Sequence, residues 1–299
     1  MYFRTYLPPI LSILLASILS FSVVADIDIT PGQGMDTIIL ENASDVSSAV
    51  AELTYELEQQ GFTIPLTVNH TVAATRVNLD LAPIQVIFAR PSRFLEKRLL
   101  RKSETIGLDL PMKFLVFEDS DGAVKLSVNT LGYLIDRHKI RIRDVALRLT
   151  SNLISQFAST DREQQGLLSV KSSQSVDDTV QALQDAITAN PAVRIPLVLA
   201  YGNRNTRPGH ERHQRSSSKL IVFGNPNVGT PLMQADPRIG IDLPLKFLVW
   251  KDKQGQVMVT YNDPHFIARR IDLQGQDARL DAISKTLNKL ALAGAGDGS

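Results

Sequence analysis

Apolar residues at Val46, Val50, Leu53 and Leu57 recur at intervals of three and four, and Val176, Val180, Leu183 and Ile187 repeat the pattern. That spacing gathers each set on one stripe of an α-helix. Side-chain oxygens stand ready to cap both helices, from Ser44 or Asp45 before the first and Ser175 or Asp177 before the second, because they can accept from the free N–H groups of the first turn. The helices end near Gly61 and near Asn190-Pro191, and a short strand is predicted ahead of each, at 36–40 and 167–170. Apolar runs then predict strands at 62–68, 84–88, 112–118 and 124–128, with counterparts at 193–201, 220–223, 245–251 and 256–261. Asp121-Gly122 and Gln254-Gly255 read as hairpin turns, since glycine takes the positive φ that such turns need. Closing helices are expected at 144–157 and 277–292, and 293–299, AGAGDGS, is expected to fray for want of side chains to pack. A helix-bearing antiparallel sheet of this kind is an α+β domain, in the order β-α-β(4)-α.

The two series of elements are copies of each other. IGLDLPMKFLVFED at 106–119 and IGIDLPLKFLVWKD at 239–252 are identical at ten of fourteen positions, 133 residues apart, and Asn129 with Asn262 and Arg137 with Arg270 keep that offset. Solenoid units are about 20 to 50 residues long, so the period is that of a duplicated domain. The copies span 34–160 and 166–292. Phe247 and Val249 alternate with Leu248 and Trp250 along one strand that is apolar on both faces. A sheet of that kind is covered on both sides. Helices supply one cover, and the sister copy's sheet is expected to supply the other, giving a pseudo-dimer within one chain.

The second copy carries FGNP at 223–226, GTPLM at 229–233, GIDLPLKFLVW at 240–250 and YNDP at 261–264. Together these resemble the bacterial domain-of-unknown-function family 302, over nearly all of the chain beyond residue 25. The resemblance implies a TBP-like α+β arrangement and homodimeric pairing of single-copy members, and it implies no activity. The first copy departs from the pattern, with FARP at 88–91 and Asn129-Thr130-Leu131 in place of NDP. The second departs at Arg270-Ile271, where the first keeps Arg137-His138. In YNDP, Asp263 is placed to cap a helix with Pro264 in its first turn. Gly224 and Gly229 read as turn glycines and Asn225-Pro226 as a turn pair.

Residues 1–25 read as a secretory signal: Arg4, an apolar run through Val24, and Val23 and Ala25 around a cleavage point. The expectation is an exported, periplasmic protein, tethered by an N-terminal anchor if the signal is uncleaved. Over 299 residues the formal net charge is +1, which removes a global argument for nucleic acid as partner. The absence of cysteine excludes disulfides, thiolate nucleophiles and Cys-ligated metals.

Asp242 and Lys246, matched by Asp109 and Lys113, lie at the start of the apolar strand, where an unpaired ion would be costly. They read either as structural ion pairs or as part of a polar cluster that contacts a small anionic or hydrogen-bonding ligand between the copies. That cluster would hold Asp242, Lys246, Asn262 and Arg270 with Asp109, Lys113, Asn129, Arg137 and His138, and Asn225 and Thr230 join the candidate set. The leading reading is a non-enzymatic binding module for a small molecule or an envelope protein, with no cofactor and no metal. One alternative is a hydrolase or isomerase using Asp242 and Lys246, although a full set of nucleophile, base and oxyanion donor cannot be named. Another is peripheral membrane docking through Arg90, Arg93, Lys97, Arg98, Arg101 and Lys102, with Phe94 and Leu95 alongside if the segment is helical. His210 and His213 lie one helical turn apart in a polar loop, without the third ligand that a metal site needs.

Overall fold

The computed structural model describes residues 34–140, 166–202 and 218–296. The predicted signal, the first copy's closing helix at 144–157 and the His210/His213 pair lie outside them. The first copy runs β1 (Met35–Ile39), α1 (Val46–Gln59), β2 (Thr63–Asn69), α2 (His70–Thr75), β3 (Ile84–Arg90), α3 (Arg93–Lys102), a 3-10 turn (Glu104–Leu108), β4 (Met112–Glu118), β5 (Val124–Asn129) and α4 (Leu131–Arg137). The second runs β6 (Leu167–Ser172), α5 (Val176–Thr188), β7 (Arg194–Ala200), β8 (Lys219–Gly224), α6 (Pro226–Ala235), a 3-10 turn (Pro237–Asp242), β9 (Leu245–Lys251), β10 (Val257–Asn262), α7 (Pro264–Arg270) and α8 (Asp277–Ala295). Each copy forms one five-stranded antiparallel sheet, in the order β1-β5-β4-β3-β2 and β6-β10-β9-β8-β7.

Asp45 caps α1 by accepting from the Ser48 N–H, and Ser175 caps α5 by accepting from the Asp178 N–H. The stripe Val46, Val50, Leu53 and Leu57 packs on Ile87, Ala89, Phe114, Val116 and Leu126, one face of the first sheet. The alternate residues, Val86, Phe88, Leu115 and Phe117, belong to a single apolar core that continues through the second copy. The halves therefore share a core, as an intrachain pseudo-dimer does.

What covers those outer faces differs from expectation. Each copy sends its 3-10 turn across the face of its sister's sheet, and the sheets themselves meet at β2 and β7. A Cβ added at Gly240 would stand 2.9 Å from Ile84 Cδ1 and 3.0 Å from Leu115 Cδ1, and one added at Gly107 would stand 2.9 Å from Leu248 Cδ1. Two glycines at matched positions thus let two backbones lie flat on two sheets. Tyr201 extends the contact: its hydroxyl, fully enclosed, shares its one proton between the carbonyls of Gly107, at 2.9 Å, and Leu110.

Further local differences have physical causes. Asn225 and Pro226 open α6 instead of forming a turn, because Asn225 accepts from the Asn227 N–H and Pro226 occupies a position that needs no N–H. Gly229 lies within α6 against Leu243, and Gly224 ends β8 against Pro244. Residues 293–295, expected to fray, continue α8: Gly294 fits against Leu183, and the Ala295 carbonyl accepts from the Ser172 and Ser173 hydroxyls. Asp263 and Pro264 open α7 as expected.

Candidate functional site

Residues 109, 113, 129, 137 and 138 of the first copy and 242, 246, 262 and 270 of the second are all buried. The 3-10 turns deliver the aspartates, β4 and β9 the lysines, β5 and β10 the asparagines, and α4 and α7 the arginines. Their bonds cross between copies. Lys113 Nζ sits 3.0 Å from Asp109 Oδ1 and 2.9 Å from Asp242 Oδ1, bridging the two carboxylates. Arg270 donates to Asp242 Oδ2 at 3.0 Å in its own copy and to Asn129 Oδ1 at 2.7 Å in the other. Arg137 reciprocates by donating to Asn262 Oδ1, with its Nε 3.2 Å from Asp109 Oδ2. That last approach is an ion pair without hydrogen-bond geometry.

Sequence reasoning missed Tyr133, which sits between the arginines. Its hydroxyl accepts from Arg137 and, at 3.1 Å, from Arg270, whose guanidinium lies 4.0 Å from the ring centroid. Phe266 holds the matching place in the second copy, where Arg137 stacks on it at 5.6 Å. An aromatic at matched positions of the two helices, four residues before each arginine, was the signal available.

Burial opposes ionisation of Asp109, yet Arg137, Lys113 and His138 outweigh it and hold the carboxyl well below its ordinary value. Asp242 is held low in the same way, by Lys113 and Arg270 against burial. Burial likewise disfavours the Lys113 ammonium, and the two carboxylates more than restore it. His138 is shifted down by burial despite Asp109. As a neutral imidazole it donates from Nε2 to Asp109 Oδ2 at 2.8 Å and accepts at Nδ1 from the Thr105 hydroxyl at 3.0 Å.

Lys246 is the exception. Asp242 was expected to pair with Lys246, but its carboxylate is taken by Lys113 and Arg270, and Lys246 Nζ donates only to the carbonyls of Asp242, at 3.1 Å, and Pro244, at 3.4 Å. Burial and the nearby Lys113 charge push the Lys246 amine down to about 7. Two lysines and two arginines facing two aspartates leave excess positive charge, and a neutral Lys246 relieves part of it.

The cluster is closed. The void beside it, bordered by Asp109, Lys113 and Asn129, measures about 10 Å³, room for one water. Of the other two candidates, Asn225 caps α6 and Thr230 is buried within α6 with its hydroxyl unpartnered. Neither is hydrogen-bonded to the cluster.

Open space at the junction lies elsewhere. A groove of about 1090 Å³ runs between the first sheet and the end of α6 with the turn after it. Leu81, Ile84 and Phe117 line one side and Met233 the other, and the Gln234 side chain donates to the Asp80 carbonyl at 2.6 Å across it. Both cations on its walls are already paired, Lys125 with Asp119 at 2.5 Å and Arg238 with Asp236 at 2.6 Å. Asp80 and Glu118 add negative charge at the rim, so the lining is net acidic.

Of the six basic residues read from sequence, Arg90 is misplaced. It lies in β3, half-buried, paired through its Nη2 with Glu96 Oε1 at 2.8 Å and bonded to the Ala200 carbonyl at 3.2 Å. The other five lie on α3.

Two antiparallel α+β domains of one design, joined through a reciprocal polar centre, define a tandem pseudo-dimer. A family model described as "Domain of unknown function DUF302" matches residues 38–156 and again 168–291, and the chain belongs to that family in two copies. Among solved structures, the uncharacterized conserved protein DUF302 from Bacillus stearothermophilus aligns over 43% of this chain and 97% of its own, at 13% identity and a TM-score of 0.37. The di-domain ARO/CYC StfQ from the steffimycin biosynthetic pathway aligns over 62% of this chain and 70% of its own, at 16% identity and a TM-score of 0.20. Among curated proteins, the fluoride-specific ion channel FluC 1 of Brucella suis is 50% identical over 56 residues, 19% of this chain and 22% of that one. FluC 1 of Brucella abortus matches equally over 21% of its length, so this chain spans about a fifth of these relatives.

Proposed function

We propose that this protein is a non-enzymatic binding module in which the buried ionic centre fixes the two copies and the junction groove receives the ligand. The observation that carries the reading is the groove of about 1090 Å³ with walls from both copies, a volume at the upper end of small-molecule sites. The centre itself, with room for one water, serves as the lock. Ile38, Ile39 and Leu81, the accessible apolar side chains of the lining, suit an apolar body, and Asp80 and Glu118 at the rim suit a cationic or hydrogen-bond-donating head. The ligand class is therefore an amphiphilic amine or a short basic peptide.

Isothermal titration of alkyl amines against alkyl carboxylates of matched length tests this directly. Amines are expected to bind and carboxylates not. Glu118→Lys is expected to weaken the amines about three- to fivefold, the value of one half-exposed ion pair, without moving the unfolding midpoint. Equal affinity for both series, or amine binding indifferent to Glu118→Lys and to a groove-filling Leu81→Trp, would remove the groove from the account.

A further inference from the structure

We infer that α3 is a docking surface for an anionic lipid bilayer, an interaction independent of the groove. Successive residues on an α-helix advance by about 100°, and the buried pair Glu96 and Leu100 fixes which side of α3 faces inward. On that wheel Phe94 lies opposite the buried side, and it is 71% exposed. Lys97, Arg98, Arg101 and Lys102 share its half of the helix, and Arg93, exposed at the helix start, stands at the margin of that half. The one acidic side chain in α3, Glu96, is turned inward and held by Arg90. The outward face of α3 is thus an aromatic ring set among cations contributed by the helix, and Glu104 follows in the 3-10 turn.

A phenylalanine with most of its surface in solvent costs apolar exposure. At a bilayer interface its ring enters the headgroup boundary while the surrounding cations meet lipid phosphates, the pattern of an interfacial helix. The sister copy supplies the contrast. The matching helix, α6, reads PNVGTPLMQA and carries no charge at all. The charged face is therefore a property of one copy and not of the shared fold. A base-paired polyanion would satisfy the cations but offers the exposed ring neither an apolar medium nor a free base to stack on, and the lipid interface offers both charge and an apolar medium.

Co-sedimentation of the full chain with vesicles of phosphatidylglycerol and phosphatidylcholine, against phosphatidylcholine alone, is the test. Binding is expected only to the anionic vesicles and is expected to fall as salt rises. Arg93→Glu/Lys97→Glu/Arg101→Glu is expected to abolish it, and Phe94→Ala to weaken it about tenfold. All four side chains are exposed, so the unfolding midpoint should hold. Arg279→Glu/Lys285→Glu/Lys289→Glu on α8 makes the same change in net charge elsewhere and is expected to retain binding. Equal loss in that control, equal binding to neutral vesicles, an unaffected Phe94→Ala, or retention on RNA without retention on vesicles would each overturn the inference.

Discussion

Asp109→Asn is expected to lower the free energy of unfolding by about 3–5 kcal/mol, the cost of breaking a buried ion pair from one side. The side chain keeps its shape and can still accept a hydrogen bond, so the loss isolates the charge. Lys113, Arg137 and His138 all face that carboxylate at 2.8–3.2 Å, and an amide leaves the two cations under-compensated in a site closed to bulk water. For scale, removing the exposed cap at Asp45 by Asp45→Ala should cost much less. Urea denaturation followed by circular dichroism measures both. A cost for Asp109→Asn no larger than that of the cap would mean the centre is wet in solution.

The two lysines at matched positions are expected to respond in opposite directions. Lys113→Met removes the bridge between Asp109 and Asp242 and should destabilise by about 3–5 kcal/mol. Lys246→Met removes an ammonium with no carboxylate of its own, and at pH 6 it should stabilise on the order of 1–4 kcal/mol. The pH dependence follows from the same asymmetry. With Lys246 pushed down to about 7 from an ordinary value of 10.5, the unfolded chain holds a proton across that window which the folded chain does not, so stability rises with pH there. Below about pH 7 both states are protonated and the penalty is complete. His70, pushed down to about 4 from 6.5 by burial, acts with the same sign: stability falls as pH falls through that interval. Tyr133 and Tyr201, raised by burial, reverse the trend above pH 10, where the unfolded chain loses phenolic protons first. Thermal midpoints should therefore climb from pH 5 to about pH 9, and Lys246→Met should flatten the upper part of that climb. Equal slopes in wild type and Lys246→Met would show that Lys246 is charged throughout.

The strands and long helices were legible because they rest on local rules. The stripe at Val46, Val50, Leu53 and Leu57, the caps at Asp45 and Ser175, and the turns at Gly122 and Gly255 each act within a few residues. β4 and β9 fall at 112–118 and 245–251, where the apolar runs placed them. The centre was half legible. Repetition marked Asp109, Lys113, Asn129 and Arg137 with their partners, because matched residues at a two-fold junction meet their sisters. Which partner each one takes was not legible. Arg270 reaches Asn129 and Lys113 reaches Asp242 across 141 and 129 residues of chain, and no local pattern encodes such a choice. The covering of each sheet was misread for a similar reason: an apolar face shows that something packs on it and not what does. Gly107 and Gly240 carried the answer, as positions where a backbone comes too close for a side chain. The groove arises from how α6 and its following turn end against the first sheet, which neither copy specifies alone.

The account stands on the two copies being one cooperative body, with a shared core and a polar centre built from both. Differential scanning calorimetry of the full chain, alone and with Gly240→Val, tests this most directly. A valine at 240 projects from the second copy into Ile84 and Leu115 of the first, so the account predicts a single endotherm with equal calorimetric and van't Hoff enthalpies that moves to lower temperature as a whole in the variant. Two resolved endotherms, or a variant that shifts only part of the trace, would contradict it.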